Sequence, residues 1–246
     1  MNKAVAAVSL KMYFTHSQTL QYCRDLKSLI AGEPGLSDNV SLAILPDFLA
    51  IPKAAEILKD SGISLGAQDL AYEDRGAFTG EVSGADLAQY GVRVAEIGHA
   101  ERRTIFQEDE EMVAKKVSAA KRNGIIPLLC IGEPERSTAK EAAKLCVEQV
   151  HSALKYATPS KIWLGYEPYW AIGAAQPASP EYVSEVCCHI REGLPDLESI
   201  TILYGGSAGP GLITKLDDTI DGLFLGRFAH DPQAFLEVAK ETIARI

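Results

Sequence analysis

The segment Ile162-Trp163-Leu164-Gly165-Tyr166-Glu167-Pro168-Tyr169-Trp170-Ala171-Ile172-Gly173 joins a short apolar run to one carboxylate and a proline. The run predicts a buried strand that carries Glu167 to its carboxyl end, and Pro168 predicts that no helix begins there. The aromatic residues and the glycine that follow suit a hinged flap better than a plain connector. A carboxylate beneath a loop that closes loses water and becomes more basic, which suits a general base. The alternative for a single glutamate is an acidic loop residue that caps a helix.

Similar apolar runs recur along the whole chain, and most are followed by a loop and an amphipathic stretch. Apolar residues in those stretches recur at spacings of three and four, as in a helix with one buried face. The runs are continuous rather than alternating, which is typical of parallel strands covered by helices. The predicted strands are residues 4–8, 41–45, 63–66, 92–97, 125–131, 162–165, 200–204 and 222–225. The predicted helices include residues 17–30, 109–123, 140–155, 180–193 and 232–246.

Eight strand–helix repeats in 246 residues predict an α/β fold, a closed (β/α)₈ barrel that forms a single domain over residues 1–246. No low-complexity linker or change of composition divides the chain. A doubly wound open sheet is the alternative, but no GxGxxG motif follows the first strand to support a dinucleotide site.

The composition describes an ordinary soluble globular protein, with 47% hydrophobic and 23% charged residues. A net charge of −9 argues against nucleic acid or an anionic membrane as the main partner. It also means that any attraction for an anionic substrate has to be local. No stretch has the length of a transmembrane helix, and the apolar run near the start is too short for a secretory signal, so we expect a cytoplasmic protein. The five cysteines lack metal-ligand spacing and are expected to be reduced, mostly packed thiols.

The carboxyl ends of barrel strands are where chemistry is expected, and two of them carry cationic or titratable groups. Lys11 follows the first strand and would point a cation into the barrel mouth, although a lysine there is often only a solvated loop charge. His99 follows the fourth strand at the start of a short helix. The positive end of the helix dipole predicts a neutral imidazole that donates a hydrogen bond. Glu101, Arg102 and Arg103 are interpreted as a supporting charge network or a helix start.

Three further strand ends carry a cysteine or glycines. Cys130 after the fifth strand is expected to be a packed thiol rather than a nucleophile. Tyr204-Gly205-Gly206-Ser207 follows the seventh strand, and Gly226-Arg227 follows the eighth. Glycines at neighbouring strand ends let backbone N–H groups approach a ligand closely, and this face of a barrel often holds phosphate. Tight turns would explain each glycine singly, whereas the pair predicts a phosphate site.

These motifs together resemble the triosephosphate isomerase family over essentially the whole chain. The matching segments occur in the same order, and the resemblance implies a TIM barrel and an aldose–ketose isomerase that interconverts glyceraldehyde 3-phosphate and dihydroxyacetone phosphate. The matching segments are Lys11 and residues 67–68, 76–81, 98–99, 101–103, 129–133, 166–168, 170–173 and 204–207.

The resemblance implies a role for each catalytic residue. Glu167 would move a proton between two adjacent carbons, and neutral His99 would polarise the carbonyl and shuttle protons between the enediolate oxygens, a known pairing in this family. Lys11 would hold the developing negative charge. The resemblance implies no cofactor and no metal.

Substrate binding and closure also follow from the resemblance. Backbone groups around Gly173, Ser207, Gly226 and Arg227 would bind the phosphate of a small sugar phosphate. Residues 168–178, which include Trp170, would form a lid that Tyr204 bonds when it closes, protecting an enediolate that otherwise loses phosphate. The loop around Phe78–Glu81 would join two copies into a homodimer.

Four positions near the implied substrate site depart from the family pattern. Ser9 replaces the asparagine of an Asn-Trp-Lys-Met-Asn motif, and Ala100 replaces the serine after the histidine. Residues 174–176 read Ala-Ala-Gln where Thr-Gly-Lys is usual, and Arg227 replaces the second glycine of a Gly-Gly pair. Ser9 and the Gly-Leu-Phe-Leu-Gly-Arg segment resemble the branch of the family that isomerises erythrulose phosphates. An isomerase of erythrulose 1-phosphate is therefore the alternative function.

Two other classes compete with an isomerase. Another phosphate-binding barrel, such as an aldolase, would need a Schiff-base lysine, and Lys11 is its main candidate. A non-catalytic barrel that binds sugar phosphates is the lower-ranked alternative, suggested by the changes at Ser9, Ala100 and Arg227. The joint presence of Lys11, His99 and Glu167 argues against it.

Overall fold

The computed structural model describes residues 4–172, 178–197 and 199–244. Eight parallel strands close into a barrel in chain order, and the last strand pairs with the first. The predicted TIM barrel is confirmed, and seven of the eight predicted strands lie within one residue of the observed bounds. The strands are β1 (Ala4–Ser9), β2 (Val40–Leu45), β3 (Ile63–Ala67), β4 (Val94–Ile97), β5 (Ile126–Ile131), β6 (Ile162–Tyr166), β7 (Ile200–Tyr204) and β8 (Gly222–Leu225).

The barrel has an inner and an outer core because successive side chains of a strand point to opposite faces. In β1, Val5 and Ala7 pack inside the barrel, whereas Ala6 and Val8 pack outward against the helices. The inner core is filled by Val5, Ala7, Ala43, Leu45, Val94, Leu128, Cys130, Trp163, Leu203 and Phe224. Filling the interior with side chains leaves the carboxyl ends of the strands as the place for a ligand.

Helices surround the barrel, and side chains cap most of their starts. Thr15 and Thr138 form capping boxes with Gln18 and Glu141, which satisfies backbone donors that the first helical turn leaves free. In the described residues the helices are α1 (His16–Ala31), α2 (Leu36–Asn39), α3 (Ile51–Leu58), α4 (Gly84–Gln89), α5 (Ala100–Ile105), α6 (Glu110–Arg122), α7 (Ala139–Ala153), α8 (Pro180–Glu192) and α9 (Pro232–Ile243). None of them is long and apolar enough to cross a membrane.

Two local features differ from the simple repeat. A short 3₁₀ helix, Tyr169–Ala171, begins directly after Pro168, so the prediction that no helix starts there was wrong for this single turn. Proline blocks a helix that continues from before it, but its fixed φ is compatible with the position that precedes a first turn. Between β7 and β8, the only helix in the described chain is the 3₁₀ helix Ile213–Lys215, because glycines and a proline between residues 205 and 211 disfavour a longer helix.

Candidate active site

Lys11, His99 and Glu167 meet at the carboxyl end of the barrel. Lys11 follows β1, His99 lies between β4 and α5, and Glu167 follows β6. His99 Nε2 is 3.2 Å from Glu167 Oε2. Lys11 and Glu167 both line a cavity of about 400 Å³. The structure therefore brings the amine, the imidazole and the carboxylate to one site large enough for a small sugar phosphate.

Lys11 is held in an unusual conformation by its surroundings. Its φ of 48° lies in the left-handed region, which a side chain other than glycine seldom adopts. The amide of Gln68 donates to the Lys11 carbonyl at 3.0 Å, and the ammonium donates to Glu101 Oε1 at 2.8 Å. A strained backbone held by such contacts is typical of a functional position.

The charge of Lys11 is fixed by neighbouring carboxylates. Burial alone would lower the pKa of Lys11, but the hydrogen bond to Glu101 and the charges of Glu167, Glu101 and Glu96 raise it above its ordinary value. Lys11 is therefore an ammonium ion at physiological pH. This suits electrostatic stabilisation and disfavours the aldolase alternative, because a Schiff-base lysine needs a lowered pKa.

His99 is both a helix cap and a neighbour of two carboxyl groups. Its Nδ1 accepts the N–H of Glu101 at 3.1 Å, which leaves Nε2 as the nitrogen that faces Glu167. Burial lowers the pKa of His99, but the contact with Glu167 and the charge of Glu96 outweigh it and raise the pKa to about 9. The Glu101 N–H opposes protonation, because an imidazolium has no nitrogen left to accept it, so this hydrogen bond corresponds to the neutral ring expected from the helix dipole.

Glu167 is buried, and glycines on two neighbouring strand ends make room for it. A Cβ on Gly132 would lie 1.9 Å from the Glu167 carbonyl oxygen, and a Cβ on Gly205 would lie 2.7 Å from its side chain. The Glu167 N–H donates to the Ile131 carbonyl at 2.8 Å, which continues the strand ladder beyond β6. Glu167 is therefore a fixed part of the barrel rim and not a helix-capping loop residue.

The predicted phosphate-binding residues lie at the ends of β7 and β8. Ser207, Gly226 and Arg227 line the same cavity as Lys11 and Glu167. Ser207 Oγ also donates to the Ala171 carbonyl at 3.4 Å, which links the β7 loop to the segment after Glu167. Arg227 is exposed and begins a short 3₁₀ helix. Gly173, also predicted to bind phosphate, lies outside the described residues.

Comparisons with known proteins identify the family of this chain. The chain matches the family model described as triosephosphate isomerase over residues 4–242. The chain belongs to the triosephosphate isomerase family. It is 45% identical to the L-erythrulose-1-phosphate isomerase of Pectobacterium atrosepticum, over 97% of this chain and 95% of that protein. It is 37% identical to the triosephosphate isomerase of Finegoldia magna, over 96% and 97% of the two chains, and 35% identical to that of a Synechococcus species, over 98% and 94%.

In this member of the triosephosphate isomerase family, Glu133 anchors the segment that follows the predicted base. Its Oε1 accepts from Trp170 Nε1 at 2.7 Å, from the Tyr182 hydroxyl at 3.0 Å and from the Tyr166 hydroxyl at 3.2 Å. Glu133 lies in the segment 129–133 that resembles the family, but no role was predicted for it. The predicted lid partner Tyr204 is fully buried, and its hydroxyl has no hydrogen-bond partner among the described residues.

The residues after His99 act as both a helix start and a charge network, as predicted. Glu101 lies in the first turn of α5 and pairs with Lys11. Arg102 Nε lies 2.8 Å from Asp69 Oδ2 in a buried cluster that also contains Glu108 and Lys116. This cluster supports the loop that holds His99. Cys130 is buried, and burial raises the pKa of its thiol well above the ordinary value, as expected for a packed cysteine.

Glu96 is a second buried carboxyl group that sequence analysis missed. Because Val94 faces the inner core, the alternation of β4 places Glu96 inside the barrel beneath the cavity. Burial and the charge of Glu167 raise its pKa to about 7, while His99, Ser9 and Lys11 act in the opposite direction. The sequence does contain a signal for this residue, because Glu96 is a charged residue within an otherwise apolar strand.

Replacing Glu96 with glutamine is expected to stabilise the fold at alkaline pH. The pKa of Glu96 rises from an ordinary 4.5 to about 7 on folding, so its favourable contribution is present below pH 4.5 and is lost as the pH rises to 7. At pH 8 the buried carboxylate costs up to about 3 kcal/mol, which the neutral amide avoids. Urea unfolding at pH 8 should show Glu96→Gln to be more stable by about 2 kcal/mol, with a difference that shrinks towards pH 4.5. A variant less stable than the wild type at pH 8 would contradict this reasoning.

Proposed function

We propose that this protein is a sugar-phosphate isomerase that moves a proton between two adjacent carbons through an enediolate. The 3.2 Å approach of His99 to Glu167, beside a cavity that Lys11 also lines, carries this proposal. Glu167 removes a proton from the carbon next to the carbonyl and returns it to the neighbouring carbon. His99 Nε2 polarises the carbonyl oxygen, and Lys11 offsets the negative charge that develops there.

The surroundings of His99 change when the substrate arrives. In the empty site the carboxylate of Glu167 raises the pKa of His99, although the Glu101 N–H keeps Nδ1 unprotonated. A substrate between the two side chains removes that contact, and burial together with the N-terminus of α5 then favours the neutral ring. Because Nδ1 accepts the Glu101 N–H, the remaining proton lies on Nε2 and faces the substrate oxygens.

Phosphate binding and lid closure complete the proposed cycle. Ser207, Gly226, Arg227 and Gly173 supply phosphate contacts, mostly through the backbone, and Lys11 adds the local positive charge that a chain of net charge −9 otherwise lacks. Residues 168–178 close over the substrate when Trp170 leaves Glu133 and Tyr204 bonds the lid. Closure keeps water from the enediolate.

The substrate has three or four carbons, and the same chemistry serves both. Moving a proton from the hydroxymethyl carbon of dihydroxyacetone phosphate to its carbonyl carbon gives glyceraldehyde 3-phosphate. Erythrulose 1-phosphate is dihydroxyacetone phosphate with one more hydroxymethyl group on the carbon that loses the proton. Moving that proton from C3 to C2 shifts the carbonyl to C3, so the product is a second ketose phosphate.

The chain is 45% identical to the L-erythrulose-1-phosphate isomerase and 35% to 37% identical to the two triosephosphate isomerases named above. This difference favours the four-carbon substrate over the triose, which the sequence prediction placed first. Parallel measurements of kcat/KM on glyceraldehyde 3-phosphate and erythrulose 1-phosphate test this choice. We expect the four-carbon substrate to be preferred. A triose kcat/KM near the diffusional ceiling of about 10⁸ M⁻¹s⁻¹ would contradict the four-carbon substrate, and no turnover of either would contradict the isomerase itself.

We also propose that two copies form a homodimer through the Phe78–Glu81 loop. Large apolar side chains are exposed in the loops that follow the four consecutive strands β1 to β4. Met12 is 94% exposed, Leu49 82% and Phe106 63%. Because the four strands are neighbours in the barrel, these loops share one side of its carboxyl end, and an apolar surface on several adjoining loops is typical of an interface.

Replacing Phe78 with glutamate is expected to weaken this dimer. Phe78 is partly exposed at the tip of its loop, and a buried charge in an apolar interface is unfavourable. Sedimentation velocity should show a dimer for the wild type and mainly monomer for Phe78→Glu at micromolar concentration. Tyr156→Glu, an exposed aromatic position after α7, serves as the control. A wild-type monomer would overturn the proposed interface.

The remaining proposal concerns location. We propose that the protein acts in carbohydrate metabolism in the cytoplasm, where phosphorylated sugars are kept. Cell fractionation with an activity assay tests this, and activity confined to a membrane or extracellular fraction would contradict it.

A further inference from the structure

Two buried polar side chains, one lining the cavity and the other hydrogen-bonded to it from inside the barrel, take no part in the proton transfer described above. Ser9 at the end of β1 is 2% exposed, and Glu96 on β4 is 3% exposed. Ser9 Oγ donates to Glu96 Oε2 at 2.9 Å, so the carboxyl group of Glu96 reaches across the barrel towards β1.

The position of this pair relates it to the reacting groups. Glu96 Oε1 lies 3.9 Å from His99 Nε2, the same nitrogen that contacts Glu167. Ser9 also lines the cavity that contains Lys11 and Glu167. The phosphate-binding candidates Ser207 and Arg227 are more exposed, so the phosphate end lies nearer the rim and the Ser9–Glu96 pair nearer the floor.

The hydrogen bond determines what Ser9 can offer to a ligand. A serine hydroxyl has one proton, and Ser9 donates it to Glu96. Towards the cavity Ser9 Oγ therefore presents lone pairs and accepts a hydrogen bond. The asparagine found at this place in the family pattern has an amide that can also donate. A carbonyl or enediolate oxygen of the substrate has only lone pairs to offer and is repelled by this acceptor. A substrate hydroxyl group can instead donate a hydrogen bond to Ser9 Oγ.

We propose that Ser9, oriented by Glu96, accepts a hydrogen bond from the terminal hydroxyl of a four-carbon ketose phosphate. This inference rests on the proposed isomerase function. The extra hydroxymethyl group is attached to the carbon from which Glu167 removes the proton, on the side away from the phosphate. A serine is smaller than an asparagine and leaves space there. Ser9 is thus a specificity-determining contact, and Glu96 is a positioning residue that acts through it.

The charged groups around Glu96 support its role as an acceptor. His99, Glu167 and Lys11 are the titratable groups that influence it, and His99 and Lys11 act to lower its pKa, which favours the carboxylate form. At pH 8, above its pKa of about 7, Glu96 is a carboxylate and can only accept, which fixes the direction of the Ser9 hydrogen bond.

The test compares two substrates and two inert ligands at pH 8 in the wild type, Ser9→Ala, Ser9→Thr, Glu96→Gln and the exposed control Glu148→Gln. The readout is the ratio of kcat/KM for erythrulose 1-phosphate to that for glyceraldehyde 3-phosphate. General damage to the site lowers both rates and leaves this ratio unchanged. Erythritol 4-phosphate and glycerol 3-phosphate, which lack a carbonyl, give a second ratio that does not depend on turnover, the association constant of the first divided by that of the second.

We expect Ser9→Ala and Glu96→Gln to lower both ratios by about tenfold, the effect of one well-placed hydrogen bond. Ser9→Thr, which restores the hydroxyl, should recover most of the loss, and Glu148→Gln should match the wild type. A wild type that turns over erythrulose 1-phosphate while Ser9→Ala and Glu96→Gln keep its ratios would overturn this inference and leave the isomerase intact. A wild type that prefers the triose would also overturn it. A wild type that isomerises neither sugar would instead overturn the proposed function.

Discussion

Replacing Glu167 with glutamine is expected to lower kcat by about a thousandfold while the affinity for a non-reacting sugar phosphate changes little. Glutamine has nearly the same shape as glutamate but cannot take a proton from carbon. A positioned general base contributes about 10²- to 10⁴-fold to the rate. A side chain at Gly132 or Gly205 would clash with Glu167, so these two glycines keep the space that Glu167 occupies. Steady-state assays with glycerol 3-phosphate as a competitive ligand separate the loss of chemistry from the loss of binding.

The control for this variant is Glu148→Gln, which removes an exposed carboxylate on α7. It should retain the wild-type rate. Glu167→Gln with more than a tenth of the wild-type kcat would show that another group removes the proton. Glycerol 3-phosphate that binds to neither wild type nor variant would contradict the shared sugar-phosphate site.

Replacing Lys11 with methionine is expected to lower kcat/KM by at least about a hundredfold. Removing one group that stabilises developing negative charge costs about 10²- to 10³-fold in other enzymes. The loss should extend to binding, because the net charge of −9 gives no general attraction for a phosphate. Methionine retains the length and apolar stem of lysine, so the cavity wall is preserved. Its former partner Glu101 is half-exposed and can be solvated by water.

Two comparisons make the Lys11 result specific. Lys11→Arg retains a cation and should lose less activity than Lys11→Met, although a guanidinium fits a site shaped for an ammonium imperfectly. Lys144→Met removes an exposed lysine of α7 and should behave as the wild type. If Lys11→Met retained full activity, the electrostatic role assigned to Lys11 would be wrong. Lys11→Met also removes the ion pair with Glu101. The free energy of unfolding should therefore be measured as well, so that a loss of activity is not confused with a loss of stability.

The fold was predictable from the sequence because its signal is local and repeated. Each strand is a continuous apolar run, and such runs occur eight times with helical patterns between them. The ends of these strands then place Lys11, His99 and Glu167 together without knowledge of any side-chain position, since every parallel strand ends on the same side of the barrel. Their location at one end of the barrel therefore follows from topology alone.

Contacts made across the barrel could not be predicted in this way. The bond between Ser9 and Glu96 joins β1 to β4, and its length depends on strand tilt and register rather than on any local pattern. Glu133 likewise gathers Trp170, Tyr182 and Tyr166 from separate segments. The effect of Glu167 on the pKa of His99 could not be predicted, because the helix dipole is a local effect, whereas the approach of Glu167 is a tertiary one.

Proton exchange with solvent tests the central claim most directly. The wild type is incubated in D₂O with whichever sugar phosphate it turns over, and carbon-bound deuterium in the product is measured by NMR. A proton carried by Glu167 through an enediolate exchanges with solvent, so we predict deuterium on the carbon that receives the proton and none in a parallel reaction with Glu167→Gln over the same time. Product that still lacks deuterium at that carbon after many forward and reverse turnovers would indicate direct hydride transfer and would contradict the account.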